Sequence, residues 1–243
     1  MSPLIRSTDS IRKALTRREA LGVFGAVGAA LAAACGDSPT APTSTSTTST
    51  TAASTASTNA ACAVTPTETA GPFPSLTDLF RSDIREGRSG TQLTLTVQVV
   101  NVNTSCAPVA NAQVEIWHCD VAGDYSQYGS VANQTFLRGI QTTDSNGQVT
   151  FVTIYPGWYQ GRATHIHIEA TVNGRSVKVS QIAFPESVNN VVHTSGVYAS
   201  RGSNPMTNAS DGIFSDSLAS ELVTPTGSVA GGYAASFQLG VAV

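Results

Sequence analysis

From residue 93 onwards, apolar and polar residues alternate in short stretches that are separated by turn signals. Alternation with a period of two places one set of side chains on the buried face of a β-strand. Residues 144–147 read Asp-Ser-Asn-Gly, and Asn173 is followed by Gly174; both patterns are typical of tight hairpin turns. A short helix is predicted around residues 75–85. The predicted strands cover residues 93–100, 112–119, 134–142, 148–154, 165–172, 176–184 and 232–241.

Many short strands joined by polar turns predict an all-β fold, namely a β-sandwich of mainly antiparallel strands. Charged residues make up 12% of the chain and the formal net charge is -3. This low charge provides no basic surface for nucleic acid, so we do not expect a role in DNA or RNA binding. The oligomeric state does not follow from the sequence.

The first 35 residues have the features of an export leader. Thr16 is followed by the pair Arg17-Arg18, a twin-arginine pattern, and residues 21–34 form an apolar run that is short for a membrane span. Small residues precede Cys35, as at a lipoprotein processing site where Cys35 would be acylated. The alternative is ordinary signal cleavage near the same alanines, with Cys35 incidental. We therefore predict an exported protein of the cell envelope or extracellular space, which contacts the membrane only through a lipid anchor at Cys35.

Residues 36–60 consist mostly of Ser, Thr, Ala and Pro and contain no aromatic residue. Such a segment cannot bury enough apolar surface to fold, so we predict a disordered linker. The folded domain is assigned to residues 61–243. It contains Cys62, Cys106 and Cys119, two of which are expected to pair in an oxidising compartment. Cys62 is the favoured member because it could tie a loose N-terminal segment to the sheet; its partner stays open.

His165 and His167 lie two residues apart on a predicted strand. Side chains at this spacing project from the same face, about 6.5–7 Å apart along the chain. Two imidazoles so placed can bind one metal ion at about 2 Å each. Two histidines on a polar surface would give the same pattern. The fourth histidine, His193, lies in a polar stretch and is expected to be solvated.

Neighbouring residues favour the metal site. Tyr159 and Arg162 lie just before the histidine pair, and residues 114–125 end a predicted strand in a glycine turn that presents Tyr125. Together these motifs resemble the intradiol ring-cleavage dioxygenases, the family of the protocatechuate and catechol dioxygenases. The resemblance spans essentially the whole predicted domain and keeps the order of the motifs, which are residues 65–73, 114–125, 136–142, 144–147, 153–167 and 181–184.

The resemblance implies one Fe(III) ion per domain. It assigns to Arg162 the stabilisation of charge on the substrate ring and to Gln181 a supporting position beside the site. Phenolates are hard, strongly donating anions, which favours Fe(III) over Fe(II) or zinc. The implied metal ligands are Tyr125, Tyr159, His165 and His167.

The implied reaction uses O2 to cleave a catechol-type ring between its two hydroxylated carbons, giving a muconate-type diacid. Gly71, Pro72 and Phe73 match a segment that borders the substrate pocket in the family. His118 is expected in the pocket wall or in a structural role, and Tyr128 is a rival to Tyr125 as a ligand.

Only two residues separate Tyr159 from Arg162, whereas the cytoplasmic members have a longer loop there. The short form, together with residues 117–120, resembles the secreted branch of the family and predicts a more open pocket. Two other functions compete with the enzyme. One is a transthyretin-like binding module with a degenerate metal site; the other is a zinc or copper protein that uses His118, His165 and His167.

Overall fold

The computed structural model describes residues 62–243 of the 243-residue chain. The predicted leader (1–35) and linker (36–60) lie outside the described residues, as does residue 61. No helix in the described part of the chain is long and apolar enough to cross a membrane.

Nine strands, two short α-helices and four three-residue 3-10 helices form the regular structure of this part of the chain. The α-helices are α1 (Glu186–His193) and α2 (Leu218–Glu221). The strands are β1 (Gln92–Asn101), β2 (Ala107–Pro108), β3 (Gln113–Trp117), β4 (Arg138–Thr142), β5 (Gln148–Ile154), β6 (His165–Val172), β7 (Arg175–Ala183), β8 (Thr226–Ser228) and β9 (Gly232–Val241).

The strands form two sheets, which confirms the predicted sandwich. The four-stranded sheet has the order β4-β3-β6-β7, and all its pairs are antiparallel. The five-stranded sheet has the order β2-β1-β9-β8, with β5 also paired to β1. The β1–β9 pair is parallel, so the sandwich is mainly, but not wholly, antiparallel.

Apolar side chains from both sheets meet in one core. Every second residue of β1 within residues 93–99 is fully buried there, as are Ile166 and Ile168 of β6. Because side chains alternate along a strand, His165 and His167 project from the opposite, outer face of the four-stranded sheet. The sandwich core therefore supports the histidine pair from behind.

The turn at residues 144–147 differs from its prediction. The turn itself forms, with the Gly147 N–H donating to the Asp144 carbonyl at 3.0 Å, but it does not join a hairpin. The strand before it, β4, pairs with β3, and the strand after it, β5, pairs with β1 in the other sheet. A turn signal fixes a local reversal of the chain and leaves the choice of strand partner to tertiary packing. The Asn173-Gly174 hairpin between β6 and β7 is confirmed.

The predicted helix at residues 75–85 is absent from the structure. This segment instead runs between the edges of both sheets, where Arg81 N–H donates to the Ile140 carbonyl at 3.1 Å and Ile84 N–H to the Val152 carbonyl at 2.9 Å. Ile84 is fully buried in the core. Hydrogen bonds to two strands and the burial of Ile84 override the weak local preference for a helix.

Residues 62–73 form an extended segment, the N-terminal strap, that crosses the sandwich towards the histidine pair. A disulfide joins Cys62 to Cys106, whereas Cys119 is a buried free thiol. The predicted pairing of Cys62 is thus confirmed and its partner is Cys106. Further along the strap, Lys178 donates to the Thr65 carbonyl at 2.7 Å.

Candidate active site

The candidate site lies on the outer face of the four-stranded sheet, at the start of β6. His165 and His167 are 2% and 0% exposed although they face away from the sandwich core. They are covered by the strap and by two loops, one between β3 and β4 that carries Tyr125 and one between β5 and β6 that carries Tyr159. Three segments that are separate in sequence therefore enclose the histidine pair.

The structure brings the four predicted metal ligands together. Tyr125 Oη lies 3.3 Å from His165 Nε2, which in turn lies 3.1 Å from His167 Nε2. The ring centroid of Tyr159 is 5.7 Å from that of Tyr125 and 5.7 Å from that of His165. Two donors bound to one ion at about 2.1 Å are themselves roughly 3.0–3.4 Å apart at angles near 90–110°. The spacing of the Tyr125 hydroxyl and the two imidazoles matches that of ligands to a single ion.

Hydrogen bonding and packing orient both imidazoles. His165 Nδ1 lies 2.6 Å from the Ala163 carbonyl oxygen, so Nδ1 carries the proton and the Nε2 lone pair faces the site. The His167 ring stacks on Trp117 with centroids 4.9 Å apart and planes 2° from parallel. On the strap, a Cβ added to Gly71 would lie 3.0 Å from His167 Cε1, so the backbone of Gly71 closely approaches this ring.

Burial keeps the site neutral when no cation is bound. It lowers the pKa of His165 to about 3 and that of His167 well below its ordinary value, so both imidazoles are uncharged and able to bind a metal. Burial also raises the pKa of Tyr125 well above its usual range. It raises the pKa of Tyr159 as well, although the charge of Arg162 opposes the change. These phenols can ionise only if a cation offsets their charge.

A hydrogen-bonded chain links Arg162 to the residues around it. Arg162 Nη2 donates to Gln181 Oε1 at 2.6 Å, and Gln181 Nε2 donates to the Thr69 carbonyl of the strap at 2.8 Å. Arg162 Nε donates to Asp211 Oδ2 at 2.9 Å. Arg162 and Gln181, which the resemblance assigns to this site, thus lie together. Asp211 also belongs to this set of hydrogen-bonded residues. The sequence did not predict its role, because no motif connects it to Arg162.

The three residues predicted at the pocket border differ in position. Gly71 contacts His167, as described above, while Pro72 is exposed. Phe73 stacks on Tyr125 with centroids 4.7 Å apart and meets Tyr159 edge-on at 6.0 Å. The strap therefore holds one ring against both phenols.

Two rival ligand residues have other roles. His118 is 1% exposed, with Nδ1 2.9 Å from the Cys119 carbonyl oxygen and Nε2 2.7 Å from Thr153 Oγ1. Both ring nitrogens are hydrogen-bonded within the protein, so His118 has a structural role and neither nitrogen is free to bind a metal. Tyr128 donates its hydroxyl to the Pro74 carbonyl at 2.6 Å, away from the histidine pair.

The zinc or copper alternative requires His118 to join His165 and His167. Within residues 62–243, no three or more His, Cys, Asp or Glu side chains come together in a group that could hold a metal ion. The hydrogen bonds of His118 to Cys119 and Thr153 likewise leave it no free nitrogen for the three-histidine site that this alternative requires. The prediction that His193 is solvated is wrong: it ends α1 and is 1% exposed, because its ring is packed near Tyr155 and Tyr198.

Comparison with known proteins identifies the family. A family model described as a dioxygenase matches residues 71–179. An intradiol ring-cleavage dioxygenase from Tetranychus urticae is 32% identical, and the match covers 74% of this chain and 95% of that one with a TM-score of 0.69. The dioxygenase domain of a carbohydrate-binding fusion protein from Streptomyces sp. SirexAA-E is 26% identical, with coverage of 74% and 99% and a TM-score of 0.58.

Catechol 1,2-dioxygenase from Candida albicans is 32% identical over 99 residues, so the match spans 33% of that protein's length and 33% of this chain. The Tetranychus urticae protein, by contrast, is matched over nearly its whole length in both sequence and fold. From these similarities, and from the site that carries the expected residues, the chain belongs to the intradiol ring-cleavage dioxygenase family.

Proposed function

We propose that this protein is a non-haem Fe(III) dioxygenase that uses O2 to cleave a catechol-type ring between its two hydroxylated carbons, giving a muconate-type diacid. The observation that carries the proposal is the convergence of two phenols with two neutral imidazoles in one buried place. One ion per domain would be held by Tyr125, Tyr159, His165 and His167.

The chemistry of these donors fits a ferric ion. Imidazole nitrogen binds several transition metals, but two phenolates favour a hard ion of high charge. The raised pKa values of Tyr125 and Tyr159 mean that the bound ion must compensate for the cost of ionising both phenols. Fe(III) meets that requirement better than a divalent ion.

When bound, Fe(III) would take up both oxygens of a deprotonated catechol and make its ring reactive towards O2. Tyr159 is the more exposed of the two phenols, whereas Tyr125 is 3% exposed. We therefore assign to Tyr159 the acceptance of a proton from the incoming catechol. The permanently charged guanidinium of Arg162 would stabilise the negative charge that develops on the ring.

The approach to this site supports an open pocket. Gln160 and Gly161, the two residues between Tyr159 and Arg162, are both exposed. The loop here is short and does not cover the approach. We propose catechols as the substrate class and leave the preferred ring substituents to experiment.

Purification with iron tests the proposal directly. Charge transfer from tyrosinate to Fe(III) should colour the protein red-brown, and oxygen uptake should follow the addition of catechol, protocatechuate or hydroxyquinol. The product should be a diacid without an aldehyde group. A protein that binds iron without this colour, or a coloured protein that consumes no oxygen with any of the three, would favour the degenerate binding module.

We also propose that the protein is exported and attached to the cell envelope through Cys35. Its Cys62–Cys106 disulfide supports this location, since disulfides persist mainly outside the cytoplasm. Cell fractionation should find the protein with membranes, and Cys35→Ser should move it to the soluble exported fraction. Recovery of the unaltered protein from the cytoplasm would contradict the export proposal.

A further inference from the structure

Asp211 is a carboxylate buried beside the candidate site that none of the roles described above requires. It is 1% exposed, and its Oδ2 atom accepts hydrogen bonds from Arg162 Nε at 2.9 Å and from the Ala163 N–H at 2.7 Å. Its Oδ1 atom accepts from the Ile213 N–H at 2.8 Å. Three donors from two segments therefore converge on one side chain.

The segment that carries Asp211 is fixed independently of Arg162. Asp211 N–H donates to the Thr207 carbonyl at 3.0 Å, and three residues later Phe214 is fully buried in a small apolar cluster with Ala163. The Phe214 ring also lies 5.8 Å below the guanidinium carbon of Arg162. The position of Asp211 therefore does not depend on Arg162, and its carboxylate can hold the Arg162 side chain in place.

The charge on Asp211 is retained in spite of burial. Burial alone would raise its pKa, but the N–H donors of Ile213 and Ala163, together with Arg162, hold the pKa below its ordinary value. A buried carboxylate that stays ionised binds a guanidinium more strongly than a neutral acceptor does.

We propose that Asp211 is a positioning residue for ring cleavage: it holds the guanidinium of Arg162 in the orientation that faces the substrate. The inference rests on the proposed function. Asp211 accepts a hydrogen bond from Nε and Gln181 accepts one from Nη2. Because the guanidinium is planar, these two bonds together determine its orientation. Through the Ala163 N–H, Asp211 also anchors the backbone two residues before His165.

The first test compares Asp211→Asn with Asp216→Asn. Asp216 is an exposed carboxylate of the same segment, so the control removes the same charge without touching a hydrogen bond to Arg162. With rates expressed per bound iron, Asp211→Asn should lower kcat about 10–100-fold with a smaller change in KM, and the control should stay close to the unaltered protein. Equal kcat values for the two variants would overturn the proposal.

A double-mutant cycle then separates positioning from general damage. Arg162→Ala should lower kcat about 10²–10³-fold. If Asp211 acts through Arg162, adding Asp211→Asn to Arg162→Ala should lower kcat no further. Losses that multiply in the double variant would show that Asp211 acts elsewhere.

Two measurements keep the proposal testable if Asp211→Asn does not fold. Arg162→Lys retains the charge but lacks the two-sided fork, so it should lose nearly as much kcat as Arg162→Ala; activity near that of the unaltered protein would contradict a need for orientation. In the metal-free protein, the Nε–H of Arg162 should exchange slowly with solvent in NMR spectra, and fast exchange would exclude the Asp211 bond. Failure of the proposed function itself would appear separately, as no iron colour and no oxygen uptake in the unaltered protein.

Discussion

The two phenols of the candidate site lie in different surroundings. Tyr125 is buried, and the stacked ring of Phe73 on one side and the histidines on the other leave it little freedom. Tyr159 is partly exposed and lies beside Arg162. A permanent ligand needs the first environment, whereas a ligand that exchanges protons with a substrate needs the second. The same residue type can therefore serve two roles in one site.

Replacing Tyr125 by Phe should remove iron and leave the fold. The sandwich has its own core, so the far-ultraviolet circular dichroism should be unchanged, while bound iron and the visible absorption band should be lost. Tyr128→Phe is the matched control because Tyr128 lies three residues away and bonds to the Pro74 carbonyl instead. It should keep its iron. The opposite result, with iron lost from Tyr128→Phe alone, would exchange the two assignments.

Sequence reasoning finds residues that share a strand or a motif and misses those that meet only in the folded protein. His165 and His167 could be paired from their spacing because a strand fixes which side chains share a face. Asp211 could not, since it lies 49 residues from Arg162 and its neighbours in sequence resemble an ordinary polar turn. No local pattern distinguishes a buried carboxylate with three donors from a solvated one.

At the scale of structural elements, the N-terminal strap links the two sheets to the site. The disulfide at Cys62 holds its beginning, and Thr65 bonds to Gly240 of β9 through both its N–H and its hydroxyl. Its far end supplies the carbonyl of Thr69 to Gln181 and the backbone of Gly71 to His167. A segment without regular structure thereby completes a site that is built on a sheet.

The strap predicts different outcomes for two glycine variants. Gly71 and Gly174 both have a positive φ, 70° and 74°, so an alanine at either should cost about 1–2 kcal/mol of stability. An added Cβ at Gly174 meets nothing within 4 Å, whereas at Gly71 it lies 3.0 Å from His167 Cε1. Urea unfolding should therefore show similar losses, while only Gly71→Ala should also weaken iron retention. Equal iron retention in both variants would show that the strap does not contribute to metal binding.

The strands could be predicted where the alternation of apolar and polar residues matches the burial of their side chains in the structure. All seven predicted strands exist, because alternating residues pack into one core. The strand predicted from residue 134 begins at Arg138 instead, since Leu137 has a φ of 57° that interrupts the ladder. Sequence could not show this, because Leu137 is an apolar residue of a kind common in strands, and its left-handed backbone is compensated by its complete burial.

At the scale of the whole molecule, the sandwich buries all the histidines of the chain. Four are present, and each is nearly inaccessible to solvent. Burial lowers the pKa of His118 to about 4 and that of His165 to about 3, and it also lowers the pKa of His167 and His193. The folded domain consequently resists protonation that the unfolded chain accepts near pH 6.5.

This difference predicts how the stability of the metal-free protein depends on pH. Between about pH 6.5 and 3 the unfolded chain binds more protons at these histidines, so the free energy of unfolding should fall as pH falls. Glu221 works in the opposite direction, because burial raises its pKa to about 7 and the folded protein keeps that proton first. Its contribution is complete once the unfolded pKa near 4.5 is reached, so the free energy of unfolding should fall most steeply below that pH.

Urea midpoints measured from pH 7 to 3.5 should show this shape, and Glu221→Gln should make the decline begin closer to pH 6.5. A midpoint that stays constant below pH 4.5 would mean that the histidines are protonated in the folded domain. That result would contradict the buried, neutral imidazoles that the proposed iron site requires.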